Sequence, residues 1–358
     1  MFISPKWIHR LFQFHGKLSS LWGGELFLLR LRPVSLCNLN CPFCYVKKDF
    51  FEGPLLSRSN WDNIIKNLPK KTVVDITGGE PLLFRDFEFL FLKLRERKIK
   101  VSLMTNGTLL TEDLLLKFVT KKLYALLVSL DGPQKIHNCL RGEGTFEKVI
   151  KNLDHLEMIQ KKLNSSWPRL TLKINVLEEN ISTIKDLIYF LEDRYKSVHF
   201  GLNLLFSNEA RGGRSLASSL IDNRFKSGNQ KMYSFSSEFF EQAMELDAFL
   251  KRRNKRYFWR PFFDEKKTRS FLKEYITDSI KAGPLNCSLP YNSLTLYGNG
   301  DVSPCDLSLK IGNISELNYD LNAFFSDKRY GLFLKTFYDE KVMKKSCQGC
   351  CLAKHEII

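Results

Sequence analysis

The chain has 358 residues, of which 44% are hydrophobic, so it can form one large domain with its own core and a smaller second one. Lys and Arg outnumber Asp and Glu by 55 to 39, and the net charge of +16 favours an anionic partner such as a nucleic acid, an acidic peptide, a phosphorylated metabolite or a membrane surface. A generally basic proteome accounts for the charge equally well. No apolar run approaches the ~18 residues of a transmembrane segment, and charged residues interrupt the N-terminal apolar stretch, which excludes a secretion signal.

Residues 4–20 predict a short amphipathic helix that covers the edge of a domain or lies on a membrane or a partner. From residue 25, predicted strands and helices alternate. The predicted strands are 26–34, 72–77, 100–105, 124–130, 170–176 and 198–206, and the predicted helices are 60–68, 87–98, 112–121, 145–162 and 181–195. Ser57 or Ser59 is expected to cap the first helix, and Thr111 opens the third. Six such units predict an α/β fold, a partial (β/α)6 TIM-like barrel with helices outside a parallel sheet.

The second half of the chain is less regular. Residues 207–236 are rich in Ser, Gly and Arg and predict a loop, a lid or a linker, and helices are expected at 237–255 and 264–282. A hairpin of strands 293–297 and 302–305 follows, with a helical segment from about residue 321. The predicted division is an N-terminal extension over 1–24, a core barrel over 25–236, a helical linker over 237–285 and a small α+β domain over 286–358.

A cysteine run follows the first predicted strand. Cys37, Cys41 and Cys44 form a C-x3-C-x2-C pattern, with the aromatic Phe43 before the last thiol. Three thiolates this close can hold a four-iron cluster in which one iron has no protein ligand and can bind a small molecule. A closed zinc site would need a fourth Cys or His nearby, and none follows. The remaining alternative is a loop of buried, inert thiols. Nine cysteines with cluster spacing favour a reducing, cytoplasmic setting over a secreted disulfide scaffold.

Other unusual residues follow the next three predicted strands. These residues are Gly78, Gly79, Glu80 and Pro81 after the second strand, Asn106 after the third, and Ser129 and Asp131 at the end of the fourth. Active sites of such barrels lie at the C-terminal ends of the strands. The common position therefore predicts one active site, which also includes the cysteine run.

A second group of cysteines lies in the C-terminal segment. Its members are Cys287, Cys305, Cys347 and Cys350, with Cys351 as an alternative to Cys350. Four cysteines can complete a [4Fe–4S] cluster that has no open iron, and they also suit zinc. Asp306 follows Cys305 directly, and its carboxylate can order the hairpin.

Together these motifs resemble the radical S-adenosylmethionine (radical SAM) enzymes over roughly residues 25–351. The resemblance implies that Cys37, Cys41 and Cys44 hold a [4Fe–4S] cluster whose open iron binds the amino and carboxylate groups of S-adenosylmethionine. It places Phe43 near the adenine and matches residues 78–81 to the family's GGEP motif. Asn106 and Ser129 would then be the favoured contacts of the ribose, whereas Asp131 would either contact the ribose or fix the turn before Gly132. Arg141 would pair with the carboxylate of S-adenosylmethionine. Asn138 stands where many relatives carry Asp, and His137 is expected to be structural.

The C-terminal cysteines resemble the SPASM/twitch auxiliary-cluster domain, and the short C-terminus favours the twitch form with one auxiliary [4Fe–4S] cluster. In sulfatase-maturing relatives a similar Pro-Cys-Asp carries a proposed base, and Asp306 would have that role here.

The resemblance implies reductive cleavage of S-adenosylmethionine to a 5′-deoxyadenosyl radical, followed by hydrogen-atom abstraction from a peptide or small-metabolite substrate. The net reaction would be a two-electron oxidation, with an electron donor such as flavodoxin or ferredoxin. Two alternatives stay open: an RNA-modifying radical SAM enzyme, which the positive charge suggests, and an iron–sulfur electron carrier or redox sensor without SAM chemistry.

Overall fold

The computed structural model describes residues 26–44, 51, 53–204, 236–253, 257–260, 285–286, 292–304, 310–337 and 354–355. Several predicted segments lie outside these residues, namely the helix at 4–20, the loop at 207–236 and the helix at 264–282. Among the described helices, none combines the length and the apolar composition that crossing a membrane requires.

Twelve strands are described. They are β1 (Leu28–Arg32), β2 (Val73–Ile76), β3 (Lys100–Thr105), β4 (Ala125–Ser129), β5 (Arg169–Val176), β6 (Val198–Leu204), β7 (Tyr257–Arg260), β8 (Leu285–Asn286), β9 (Ser293–Tyr297), β10 (Asp301–Ser303), β11 (Gly312–Asn313) and β12 (Lys354–His355). The described α-helices are α1 (Arg58–Asn67), α2 (Phe87–Glu96), α3 (Glu112–Thr120), α4 (Gln134–Arg141), α5 (Thr145–Lys162), α6 (Ile184–Arg194), α7 (Ser237–Arg252) and α8 (Lys328–Phe337).

Ten of these strands form one sheet in the order β11-β10-β9-β1-β2-β3-β4-β5-β6-β7. The eight strands from β9 through β1 to β7 pair in parallel, and β10 and β11 continue the sheet in antiparallel pairing. This arrangement confirms the predicted α/β fold with a partial, unclosed TIM-like barrel. The sequence had not predicted that β7, which follows α7, extends the sheet beyond β6.

The two faces of the sheet differ in polarity. On β1, Leu29 and Leu31 are buried in the main hydrophobic cluster, together with residues of the surrounding helices. Arg30 and Arg32 alternate with them, and Arg30 aligns with Asp75 of β2. Because successive side chains of a strand point to opposite faces, the apolar face packs under the helices and polar side chains line the barrel interior.

The predicted helix starts are confirmed where a capping residue defines them. Ser57 caps α1 in a reciprocal capping box with Asn60, and the Thr111 side chain accepts a hydrogen bond from the backbone at the start of α3. The predicted helix at 181–195 is a 3-10 turn, Ile181–Thr183, followed by α6. Helix α4 was not predicted. It contributes Arg141 to the candidate site.

The predicted C-terminal hairpin is present as β9 and β10, and Gly300 takes a left-handed conformation (φ +90°) in the turn. Strand β9 pairs along its whole length with β1, from Leu28 beside Ser293 to Arg32 beside Tyr297. The C-terminal segment therefore shares the sheet of the core barrel. The predicted helical segment from about residue 321 is a 3-10 helix, Leu321–Ser326, followed by α8.

Candidate active site

The cysteine run lies in the loop after β1, at the C-terminal edge of the sheet. Cys41 and Phe43 are buried in a small hydrophobic cluster with Leu140 of α4 and Leu177, which follows β5. Cys44 is half-buried, whereas Cys37 is exposed. The apolar residues of the loop thus anchor it to α4, while the first thiol lies at the surface.

Amide groups and neighbouring charges surround the three thiols. The backbone amide of Leu39 donates to Cys37 Sγ over 3.4 Å, and the side-chain amide of Asn106 donates to the same sulfur over 3.8 Å. Burial raises the pKa of the thiols of Cys37 and Cys41, and the Arg141 guanidinium opposes this rise at Cys41. Because the thiolate is the metal ligand, binding of a cation would release the protons that burial favours. Among the described residues, no three His, Cys, Asp or Glu side chains lie close enough to hold a single metal ion.

The Gly-Gly turn after β2 packs directly against the start of the cysteine loop. The backbone amide of Gly79 donates to Val34 O over 3.0 Å, and that of Glu80 donates to Leu36 O over 2.8 Å. A Cβ atom on Gly79 would lie 2.0 Å from Leu36 O, and Gly78 has φ +133°. The glycines therefore permit the close approach of two backbone segments of this chain.

Glu80 is buried, with 1% of its surface exposed. Its carboxylate accepts hydrogen bonds from the Thr105 hydroxyl over 2.7 Å and from the backbone amides of Asn106 and Leu82 over 2.8 and 3.2 Å. Burial nevertheless raises its pKa, since these hydrogen bonds and the Arg141 charge offset only part of the desolvation. Glu80 therefore ties the turn after β2 to the end of β3, and Thr105 is a partner that the sequence did not reveal.

Asn106 and Ser129 occupy the predicted positions at strand ends but differ in their surroundings. The Asn106 side chain donates to Asn38 Oδ1 over 2.9 Å, and its oxygen accepts from the backbone and hydroxyl of Thr108. It therefore holds the turn after β3 against the cysteine loop. Ser129 ends β4 in register with Lys173 of β5, and it is half-buried.

Arg141 lies at the end of α4 and is 9% exposed. Its Nε donates to Asp131 Oδ2 over 2.6 Å, and its guanidinium carbon lies 5.5 Å from the centre of the Phe43 ring. Within the described part of the chain, its terminal Nη1 and Nη2 make no hydrogen bond. The residue thus presents two donors beside the cysteine loop that no described residue binds.

The neighbours of Arg141 on α4 have structural contacts. His137 Nδ1 accepts a hydrogen bond from the Asp131 amide, and burial lowers the pKa of His137 to about 4. Asn138 Oδ1 accepts from the Phe146 amide at the start of α5, and its NH2 group donates to Glu147. These contacts agree with a structural role for His137. They also show that Asn138 fixes the junction of α4 and α5.

The predicted auxiliary-cluster residues lie outside the described residues. They are Cys287, Cys305, Asp306, Cys347, Cys350 and Cys351. The described hairpin of β9 and β10 lies between the first two of these cysteines in sequence.

Two family models match the sequence. The Radical SAM superfamily model matches residues 31–190, which include the cysteine run and Arg141. The SPASM model, described as an iron-sulfur cluster-binding domain, matches residues 287–351.

Curated proteins with related sequences have different names. The chain is 28% identical to an S-adenosylmethionine-dependent nucleotide dehydratase of Selenomonas ruminantium, over 45% of this chain and 60% of the relative. It is 26% identical to the mycofactocin maturase MftC of Mycolicibacterium smegmatis, over 42% of this chain and 38% of the relative. A probable GTP 3′,8-cyclase of Sulfurisphaera tokodaii is 26% identical, over 79% of this chain and 82% of the relative. The chain therefore spans about half the length of the first two relatives.

Solved structures with the same fold include two proteins bound to peptides. SuiB of Streptococcus suis bound to precursor peptide SuiA has a TM-score of 0.65 and 17% identity, over 92% of this chain and 72% of that one. The protein anSMEcpe with bound AdoMet and the Cp18Cys peptide has a TM-score of 0.57 and 20% identity, over 92% of this chain and 89% of that one. At these identities the likeness concerns the fold.

The family implies [4Fe–4S] clusters and S-adenosylmethionine as cofactors, and the described residues fit them. Three thiols share one loop, and beside it lie two guanidinium donors of Arg141 that have no hydrogen-bond partner among the described residues. With both family models matched in the expected order, the chain carries a Radical SAM domain over residues 31–190 and an iron–sulfur cluster-binding SPASM domain over residues 287–351.

Proposed function

We propose that the chain is a radical SAM oxidoreductase that catalyses a net two-electron oxidation of a peptide substrate. The observation that carries the cofactor assignment is the pair of opposite buried charges beside the cysteine loop, Arg141 and Glu80. The chemistry that a cluster-bound S-adenosylmethionine supplies is a 5′-deoxyadenosyl radical, which takes a hydrogen atom from an unactivated C–H bond. The protein contributes binding, orientation and the exclusion of water.

The three cysteines of the loop are proposed as the cluster ligands. Cys41 and Cys44 are anchored by the apolar cluster on α4, and Cys37 receives hydrogen bonds from Leu39 and Asn106. Hydrogen bonds to sulfur ligands raise the reduction potential of a cluster, because they stabilise the added negative charge. These two amide donors would therefore ease reduction of the cluster by an electron donor such as flavodoxin or ferredoxin.

Arg141 and Glu80 suit the two charged ends of an amino acid. The Arg141 donors would bind the carboxylate of S-adenosylmethionine, and the buried Glu80 carboxylate would favour its ammonium group. The raised pKa of Glu80 supports this assignment, because a nearby cation would offset the cost of burying its charge. Residues 78–81 would form the wall on the ammonium side.

The remaining contacts with S-adenosylmethionine are proposed from the positions of three residues in the cysteine loop and at the strand ends. Phe43 packs under the Arg141 guanidinium and is proposed to lie near the adenine. Ser129, half-buried at the end of β4, is proposed to contact the ribose. Asn106 is proposed to contact the ribose as well, although its side chain already links Asn38, Thr108 and the Cys37 sulfur.

We assign the second cluster to Cys287, Cys305, Cys347 and Cys350, with Cys351 as the alternative last ligand. The SPASM match over residues 287–351, which contain all five cysteines, supports this assignment. The chemistry of such a cluster is to accept the electron left on the substrate, and Asp306 would take the accompanying proton. The proposed domains are those of the sequence analysis, in a reducing, cytoplasmic setting.

The assignment of a peptide substrate rests on solved structures that share the fold and on one curated relative. Two structures that share the fold over 92% of this chain contain peptides, and one curated relative is a maturase. A small nucleotide is the second candidate, because the cyclase relative matches over 82% of its length. Product analysis with peptides and with nucleotides separates these two classes.

The test uses full-length protein reconstituted anaerobically with iron and sulfide. We expect about eight irons per chain, from two four-iron clusters, and formation of 5′-deoxyadenosine after addition of dithionite and S-adenosylmethionine. A Cys37/Cys41/Cys44→Ala variant should keep about four irons and form no nucleoside. Cys139→Ala is the matched control, since this exposed thiol of α4 lies outside both groups.

The outcomes separate the alternatives. Cluster-loaded protein that forms no 5′-deoxyadenosine, with or without candidate peptides, would indicate an electron carrier or redox sensor. About four irons with full nucleoside formation would remove the second cluster and the oxidation assigned to it. An RNA substrate would instead appear as a steeply salt-dependent affinity for RNA.

A further inference from the structure

Asp131 is a fully buried carboxylate at the end of β4, within the group of strand-end residues from which the sequence predicts one active site. Its Oδ2 accepts the hydrogen bond from Arg141 Nε over 2.6 Å, and its Oδ1 accepts one from the backbone amide of Asn175 over 2.7 Å. Both carboxylate oxygens are thus used within the protein. Asp131 therefore contacts Arg141 through the Nε atom, and its negative charge faces the guanidinium.

We infer that Asp131 is a positioning residue, which aims the Nη donors of Arg141 at the carboxylate of S-adenosylmethionine. This inference rests on the proposed function. The inference extends that function, because it assigns the preference for a ligand with a carboxylate to the pair of Arg141 and Asp131. Only Arg141 of this pair would contact the cofactor.

The first argument is the geometry of the ion pair. Among described residues, Arg141 uses only Nε for hydrogen bonding, so Asp131 holds the guanidinium by one edge. The planar guanidinium has a second edge, formed by Nη1 and Nη2, which can bind a carboxylate through two parallel hydrogen bonds. Arg141 interacts electrostatically with Cys41 and Cys44, which places this charge beside the proposed cluster ligands.

The second argument is that Asp131 is itself held at several points. Its backbone amide donates to His137 Nδ1 over 3.0 Å, and its carbonyl accepts from the Asn180 side chain over 2.6 Å. The same Asn180 amide also donates to the carbonyl of Asn175 over 2.7 Å. Residues whose rotamers are fixed in this way by neighbouring hydrogen bonds hold a binding group in a productive geometry.

The third argument is charge. A guanidinium buried without a counterion is costly, so Arg141 needs a negative partner before the cofactor binds. Asp131 supplies that charge from the side opposite the free edge. Binding of a second carboxylate then requires little movement of the guanidinium, which lowers the entropic cost of binding.

The test compares two ligands on the anaerobically reconstituted, full-length protein. One is S-adenosylmethionine, and the other is its decarboxylated analogue, which keeps the amine and the sulfonium but lacks the carboxylate. Dissociation constants come from equilibrium dialysis and from the change in the electron paramagnetic resonance spectrum of the reduced cluster. The wild type should prefer S-adenosylmethionine, because only this ligand has a partner for the Nη edge.

Asp131→Asn keeps the size of the side chain and removes its charge. We expect the affinity for S-adenosylmethionine to fall about tenfold, which corresponds to the loss of part of a charge-assisted interaction. The affinity for the decarboxylated analogue should stay within about twofold, since the lost interaction concerns only the carboxylate. In an Arg141→Met background, Asp131→Asn should cause no further loss of preference, because the residue through which it acts is gone.

Asp154→Asn is the matched control. Asp154 forms a two-point ion pair with Arg194 through distances of 2.7 and 2.6 Å on α5 and α6, and it is not among the residues of the candidate site. The same change of carboxylate to amide should leave both dissociation constants unchanged. If the Asp131→Asn protein fails to take up iron, Asp131→Glu replaces it in the test. The longer side chain keeps the charge but displaces Nε of Arg141, so this variant must also lose affinity for S-adenosylmethionine and not for the decarboxylated analogue.

Equal weakening of both ligands by Asp131→Asn would indicate a general structural role and overturn the inference, and so would unchanged binding of both. If Arg141→Met keeps the full preference for S-adenosylmethionine, the carboxylate site lies elsewhere and the inference also fails. Failure of the proposed function is distinct, because it appears in the wild type as cluster-loaded protein that forms no 5′-deoxyadenosine.

Discussion

The contact between the Gly-Gly turn and the cysteine loop gives a sharp prediction for Gly79→Ala. An added Cβ would lie 2.0 Å from Leu36 O and 2.6 Å from Ser35 O, both of which are backbone atoms. Ordinary contacts to a Cβ need well over 3 Å, so the two segments must separate by about 1 Å or more. That separation breaks the hydrogen bonds from Gly79 to Val34 and from Glu80 to Leu36, whose lengths are 3.0 and 2.8 Å.

The expected cost follows from these bonds. Two backbone hydrogen bonds contribute about 1 kcal/mol each, and burying their unpaired groups adds to the loss, so the apo protein should be destabilised by about 2–4 kcal/mol. The assay is urea unfolding followed by circular dichroism, together with iron counting after anaerobic reconstitution. Iron bound by the first cluster site should fall in parallel, because the displaced segment leads directly to Cys37.

Gly331→Ala is the matched control for this prediction. Gly331 lies in α8, and apart from its chain neighbours and the helix backbone, no atom of the described residues lies within 4 Å of a Cβ built there. Alanine should stabilise the helix by about 0.5–1 kcal/mol, because glycine loses more backbone entropy on folding. If Gly79→Ala unfolds at the same urea concentration as the wild type and takes up the same iron, the close backbone approach does not support the cysteine loop, and the reasoning is refuted.

Three further substitutions test the structure around the site. Burial lowers the pKa of His137 to about 4, below its usual 6.5, so the folded protein keeps the ring neutral while the unfolded chain binds a proton as the pH falls. The free energy of unfolding therefore decreases between pH 6.5 and 4. From pH 7 to 5, the wild type should lose about 2 kcal/mol more of this free energy than His137→Gln. Asn138→Asp should cost about 1–2 kcal/mol in urea unfolding, because a second carboxylate would face Glu147, and a further Glu147→Gln change should recover much of this loss. Ser57→Ala removes the α1 cap and should cost about 1 kcal/mol in the same measurement, whereas an unchanged midpoint would contradict the capping assignment.

Local sequence signals predicted most of the barrel. The apolar runs at β2 to β6 and the capping residues Ser57 and Thr111 act over a few neighbouring residues, and the structure confirms them. The strand-end positions of the cysteine run, Asn106 and Ser129 were also predictable, since parallel strands bring these ends to one edge.

Two features were not predictable in this way, because they depend on residues far apart in sequence. Strand β9 pairs with β1 across more than 250 residues, and no local pattern specifies that register. Helix α4 has eight residues and a polar composition, and it is held by the burial of Leu140 and Arg141 against other elements. The partners of Glu80 and Arg141 were missed for the same reason, although the resemblance to radical SAM enzymes had identified both as candidate cofactor contacts.

The distribution of hydrogen bonds around the site supports its assignment to a bound amino acid. Glu80 and Asp131 have their carboxylate oxygens bonded within the protein, whereas the described residues offer no acceptor to the Nη edge of Arg141. In a residue that is only 9% exposed, donors without a protein partner remain available to a ligand, and incomplete pairing of this kind is found mainly at functional sites. A purely structural ion pair would be expected to bind both edges of the guanidinium. The incomplete pairing of Arg141, next to three thiols that can hold an open iron, is therefore the feature of this fold that specifies a carboxylate-bearing cofactor.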